Sequence, residues 1–346
     1  MNWWTQPTQA IDLESREQAT LRQQQLTKPP GSLGELENVA IAFAGWQSQE
    51  IPQLNCVCVR IFAADHGVVE EGVSAYPQVV TGEMVRNFAA GGAAICVLSK
   101  IHNAEFSVVN VGTVMPLEDL PGVANVQLTN GTANFCKQPA MTGETVIRAL
   151  DVGRNNSPQE SDLFIGGEMG IGNTTSATAI FCALLGASVQ EMTGRGTGID
   201  DTGLKRKAET VQAALNLHRE HIASGALETL RCVGGLEIAA LAGAYITCAQ
   251  RGIPSLVDGF ISTAAALVAI RLNEGVRDWL LFAHCSDEQG HKQALSMMNV
   301  TPLLSIGMRL GEGSGAAVVY PILQSALRLH AEMATFEQAS VSNKPI

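Results

Sequence analysis

Residues 162–186 read DLFIGGEMGIGNTTSATAIFCALLG. A short apolar run gives way to a glycine-rich turn and then to a long apolar stretch, which is the pattern of strand, turn and helix. A turn of this kind exposes backbone N–H groups at a helix N-terminus, where the dipole favours an anion. Two familiar phosphate motifs fail on inspection. Gly167 to Gly172 has G-x-x-x-x-G spacing, but Asn173 stands where the lysine of a triphosphate loop belongs. Gly170-Ile171-Gly172 could begin a dinucleotide fingerprint, but Thr175 occupies the place of its third glycine. The turn suits one phosphate better than three, with Thr174, Thr175 and Ser176 adding hydroxyl donors. A plain tight turn capped by Asn173 fits the same residues.

The same alternation extends in both directions. CVCVRIFAADHG (56–67), FSVVNVG (106–112), IPSLVDGFIS (253–262) and WLLFAHCS (279–286) read as strands. TGEMVRNFAAGGAAICVLSKI (81–101), the stretches 201–222 and 236–252, TAAALVAIRL (263–272) and 316–334 read as helices. Near-continuous apolar strands separated by helices predict an α/β fold with a doubly wound, mostly parallel sheet. Before the first strand, 12–27 reads as a surface helix. Ser32 and Glu35 form a capping-box pattern for a second helix. The expected organisation is a small helical lobe from residues 1–50 and about 325–346, and a large α/β domain over 51–324.

Composition narrows the function. The formal charge is -11 and no Lys/Arg cluster stands out, which argues against a nucleic-acid surface. No run reaches ~18 unbroken apolar residues, so no membrane helix is expected. The opening residues lack the basic-then-apolar pattern of a signal peptide. The 8 cysteines contain no C-x-x-C and read as buried free thiols of a cytoplasmic protein.

In an open parallel sheet, ligands bind beyond the carboxyl ends of the strands. Four ends carry unusual residues: Asp65-His66, Glu168, Asp258, and His284 with Ser286. Their convergence predicts a site. A metal site has little support, because neither H-x-x-x-H nor H-E-x-x-H occurs. No G-x-S-x-G elbow occurs either. In GRGTGIDDTGLKRK (194–207), Lys205 and Lys207 could face an anion or simply solvent. In RLGEGSGAA (309–317), Glu312 stands among three glycines. By its neighbours alone it reads more readily as a solvated turn residue than as a base, although apolar cover would raise its pKa toward a useful range.

Taken in order, TKPPGSLGELE, ADHGVVEEGVSAYPQVVT, GGEMGIGNTTSA, GRGTGIDDTGLKRK, LVDGFISTAAAL, HCSDEQGH and MRLGEGSGAA resemble the nicotinate-nucleotide–dimethylbenzimidazole phosphoribosyltransferase family. The resemblance runs from about residue 15 to the last helix. It implies a Rossmann-like fold and a cytoplasmic homodimer that needs no metal or other cofactor. It also implies transfer of phosphoribose from nicotinate mononucleotide to 5,6-dimethylbenzimidazole, giving α-ribazole 5′-phosphate for the cobalamin lower ligand. Under it, Glu312 is the general base and Glu168 a second catalytic carboxylate. Gly170, Gly172, Asn173, Thr174, Thr175, Lys207, Ser286 and Gly313 would hold the nucleotide. Tyr76, Met84, Met169 and Leu310 would line the base pocket. A non-catalytic nucleotide-binding module and an N-glycosidic hydrolase are the alternatives.

Overall fold

The computed structural model describes residues 2–342. One six-stranded sheet runs through it, built from β1 (Val57–Ala64), β2 (Glu105–Gly112), β3 (Val123–Asn125), β4 (Leu163–Met169), β5 (Ser255–Val257) and β6 (Leu280–Phe282). Its order is β3-β2-β1-β4-β5-β6, and every neighbouring pair is parallel. The central strands β1 and β4 are buried almost throughout, which is why they read as continuous apolar runs. Helices Gly143–Asn156, Leu236–Arg251 and Phe260–Leu272 cover one face. Helices Val79–Ala89, Ala94–Ile101 and Ser314–Glu332 cover the other. This is the doubly wound α/β architecture expected from the sequence.

After β1 the chain turns toward β2, and after β4 it turns toward β5 on the opposite side. The loops leaving these two adjacent strands therefore diverge, which opens a crevice at their carboxyl ends.

Several local expectations change. The run 81–101 forms two helices, parted at Gly91-Gly92, where Gly91 adopts φ 77°. The span Val79–Ile101 is long and apolar enough to cross a membrane by composition, but this break and the charges on Glu83, Arg86 and Lys100 divide it. The second helix, Glu35–Gln47, starts at Gly34 with no side-chain cap, so the Ser32–Glu35 box does not form. Glu37 takes that role from one turn inside, accepting from the Leu33 N–H at 3.0 Å and pairing with Lys28 at 2.8 Å. Cys56 is exposed, while Cys136 and Cys285 are half-buried.

The two ends of the described chain pack together. Arg22 donates to the carbonyls of His330 and Ala331, both at 2.8 Å, and Leu26 bridges Thr335. Helix Ser314–Glu332 is unbroken across residue 325.

Candidate active site

A cavity of about 450 Å³ opens at the crevice. Its walls come from the segment after β1 (Tyr76, Val80, Met84), from β4 and its turn (Glu168–Ile171, Asn173, Thr174), from Gly196-Thr197, and from residues 309–312. His284, Ser286 and Glu288 close the β6 side.

Glu312 is 6% exposed and lies on the cavity wall, so the solvated-turn reading does not hold. Its backbone explains the glycines. Gly311, Glu312 and Gly313 all adopt left-handed conformations, with φ of 85°, 63° and 77°. A side chain in this region costs about 1–2 kcal/mol, so only glycine is easily accommodated on either side of the glutamate. The turn also packs tightly. A Cβ on Gly311 would stand 2.7 Å from Glu168 Oε1, and one on Gly167 would stand 2.6 Å from the Glu312 carbonyl carbon. Burial pushes the Glu312 carboxyl up to about 7, with the negative charge of Asp258 adding to the effect. A carboxyl in that range is matched to accepting a proton near neutral pH.

Glu168, at the end of β4, is buried and accepts a hydrogen bond from Asn173 Nδ2. Burial holds its carboxyl well above the ordinary range, and Glu237, Asp258 and Glu312 push the same way. The acidic groups are therefore held where burial and mutual repulsion disfavour their charged forms. A positively charged ligand group beside them would favour ionisation. Asn173 is the first residue of helix Asn173–Leu185, and Gly172 is its N-cap at φ 99°. Asn173 therefore orients Glu168 and does not cap the turn.

The phosphate-side expectations divide. Thr174 lines the cavity, but Gly172 and Thr175 do not. The N–H groups of Asn173 and Thr175 already donate to Gly170 O and Gly172 O within the turn. The Thr175 hydroxyl is buried without a partner. Lys207 is fully buried behind this wall, and its Nζ donates to Thr174 Oγ1 at 2.8 Å and Gly194 O at 3.1 Å. Burial lowers it to about 8, against the opposing charge of Glu288. Lys205 is exposed, 3.9 Å from Glu209, and takes no part. Gly313 lies behind Glu312 and does not line the cavity.

The remaining candidates also separate. Gly170 and Met169 line the cavity with Met84, while Tyr76 and Leu310 stand half-exposed at its rim. The four strand ends do not all converge on the cavity. His66 is buried between Ser176 Oγ at 3.0 Å and Glu237 at 2.6 Å. Asp65 accepts from the Val114 N–H, which ties β1 to the loop after β2. Asp258 sits beneath Glu312, outside the cavity. His291, pushed down to about 3 by burial, accepts from the Ser286 N–H at 2.8 Å and fixes Ser286.

Glu288, Thr197 and Arg309 line the cavity but were not singled out in the sequence. Each lay inside a quoted motif. Among the described residues no three His, Cys, Asp or Glu side chains cluster as metal ligands.

Residues 8–341 match the family described as phosphoribosyltransferase. A Pseudomonas putida protein (strain W619) named nicotinate-nucleotide–dimethylbenzimidazole phosphoribosyltransferase is 54% identical, over 99% of this chain and 99% of its own. A Pseudomonas aeruginosa protein (strain UCBPP-PA14) of the same name is 54% identical, over 100% and 99%. The crystal structure of CobT from Thermus thermophilus superposes with a TM-score of 0.91 at 45% identity, covering 96% of this chain and 100% of that one. The chain is thus a phosphoribosyltransferase by family. More narrowly, it belongs to the nicotinate-nucleotide–dimethylbenzimidazole phosphoribosyltransferases.

Proposed function

We propose that the protein transfers the 5-phosphoribosyl group of nicotinate mononucleotide to 5,6-dimethylbenzimidazole. The products are nicotinate and α-ribazole 5′-phosphate, for the lower ligand of cobalamin. The observation that carries this reading is Glu312, a buried carboxylate held near neutral proton affinity against a partly apolar cavity of about 450 Å³. The reaction needs one proton acceptor and no acid. The bond from C1′ to the pyridinium breaks, and its electron pair neutralises the departing nitrogen. A benzimidazole nitrogen attacks the opposite face of C1′, and the benzimidazole N–H proton passes to Glu312.

Glu168 supplies negative charge toward the oxocarbenium-like centre once the nucleotide's positively charged pyridinium is bound. Thr174, whose hydroxyl accepts from Lys207, binds the 5′-phosphate in this reading. Ser286 contacts the nucleotide, and Tyr76, Met84, Met169 and Leu310 hold the acceptor ring by stacking and apolar contact.

Purified protein given nicotinate mononucleotide should release nicotinate only when dimethylbenzimidazole is present. Release without acceptor favours a hydrolase, and binding without release favours a non-catalytic module. Glu312→Gln should lower the rate on the order of 10²–10⁴-fold. Undiminished turnover in that variant removes Glu312 from the role.

The same reading includes a cytoplasmic homodimer and a small lobe formed by residues 1–50 and about 325–346. The contacts of Arg22 with the last helix and of Leu26 with Thr335 just beyond it support the lobe, of which residues 1 and 343–346 lie outside the described residues. Sedimentation should give a species of twice 36.6 kDa, and a monomer at working concentration overturns the dimer.

A further inference from the structure

Asp258 follows β5 directly and is 1% exposed. Its Oδ2 accepts from the Gly313 N–H at 3.2 Å, and its Oδ1 accepts from the Ala316 N–H at 2.8 Å. One carboxylate thus holds both the end of the left-handed turn and the first turn of helix Ser314–Glu332. Three consecutive left-handed residues are unfavourable unless the surroundings fix them. Asp258 supplies two such restraints from behind, out of reach of the substrate.

The groups facing Glu312 from the surrounding elements are Glu168 on β4, Asp258 after β5, His284 after β6, Cys96 on helix Ala94–Ile101, and Arg309 on its own loop. Glu237, on helix Leu236–Arg251, stands behind Glu168. Of these, Asp258 bonds to the turn and also raises the proton affinity of Glu312. The His284 ring places Nε2 3.7 Å from Asp258 Oδ1, and its Nδ1 is buried without a partner. A Cβ on Gly315 would overlap that ring, so the glycine after Ser314 makes room for it.

We propose that Asp258 is the positioning residue for Glu312, locking the turn that carries the base and keeping a buried carboxylate behind it. The inference rests on Glu312 being the base, but its test does not require turnover. In protein labelled with ¹³C at the glutamate carboxyls, the Glu312 resonance is assigned by its loss in Glu312→Gln and then titrated. Asp258→Asn removes a like charge, so the Glu312 midpoint should fall by about one pH unit. In the assay, the acid limb of kcat should move the same way. The value of kcat should drop about tenfold or more, with KM for nicotinate mononucleotide held within about twofold. The acceptor's own titration is common to both proteins and cancels in the difference.

A lowered kcat with an unmoved Glu312 midpoint makes Asp258 merely structural and overturns the proposal. Should Asp258→Asn fail to fold, Asp258→Glu decides. It keeps the charge but shifts the carboxylate away from the Gly313 and Ala316 N–H groups, so kcat should fall about tenfold in folded protein, and an unchanged kcat overturns the proposal. A wild-type protein that releases no nicotinate refutes the reaction but leaves the titration test standing.

Discussion

At the scale of single residues, the site is built by placing carboxyls where they are costly. Glu312 holds its proton more tightly in the folded chain, at about 7, than at its ordinary 4.5. Its contribution to stability is therefore full below about pH 4.5 and is lost as pH rises through 7. Glu312→Gln should melt with the wild type at pH 4 and above it at pH 8, with a difference of order 3 kcal/mol as an upper figure. Thermal melts across that range check it, and equal melting at pH 8 removes the idea that the base is held under strain. The neighbouring glycine gives a second case. Gly311→Ala combines φ 85° with a Cβ 2.7 Å from Glu168 Oε1. We expect kcat/KM to fall about 10–100-fold, because a sub-ångström displacement at reacting groups is amplified in rate. Gly307→Ala is the control. Its φ is 76° with nothing within 4 Å of the added carbon, so it should cost about 1 kcal/mol of stability and leave the rate unchanged.

At the scale of elements, helix Asp201–Leu217 buries one lysine and exposes another two residues along. Residues two apart lie about 200° around a helix, so Lys205 and Lys207 cannot face the same ligand. Lys207→Met should raise KM for nicotinate mononucleotide about 10–100-fold by removing the charge behind Thr174, while Lys205→Met should change it less than twofold. The wild-type KM should also rise above about pH 8, where the lowered Lys207 loses its proton. Equal effects of the two substitutions would remove Lys207 from the phosphate side. Which of the two lysines is buried was not legible in the helix pattern, which both orientations satisfy; only the family resemblance singled out Lys207. The strands β1, β2 and β4 were legible as apolar runs, since burial on both faces leaves no room for polar alternation. The edge strand β3, three residues with two of them exposed, carries no such signature. Helix Gly143–Asn156 was also not read, although Thr142 caps it at the Thr145 N–H. The break at Gly91 escaped because two apolar helices in series share one hydrophobic run. The candidate site divided in a similar way. Glu168, Ser286 and Glu312 sat at strand ends or in a glycine turn, where topology points. The supporting roles of Asp258 and Asn173 depend on pairings across 55 and 5 residues that no local pattern encodes.

At the scale of the whole molecule, one helix spans from the base to the chain's terminal clasp. Helix Ser314–Glu332 begins two residues after Glu312, and its last carbonyls are capped by Arg22. His330, near that end, donates from Nε2 to Glu50 O and accepts from Gln23 at Nδ1, so its neutral form is built into the clasp. The helix could in principle act as a lever on the base. The geometry at its N-terminus argues otherwise, because Asp258 fixes the turn and the Ala316 N–H of the first helical turn locally, at the sheet. Arg22→Ala leaves two helix-end carbonyls without their charged donor, a loss of about 2–3 kcal/mol. For a chain of this length each kcal/mol corresponds to roughly 1.5 °C, so Tm should fall by about 3–4 °C. The folded fraction should keep kcat and KM within about twofold of wild type at 25 °C. A kcat that fell with Tm while the protein remained fully folded would make the clasp part of the catalytic apparatus. In that case the position of Glu312 would be set from the far end of the helix as well as by the carboxylate beneath it.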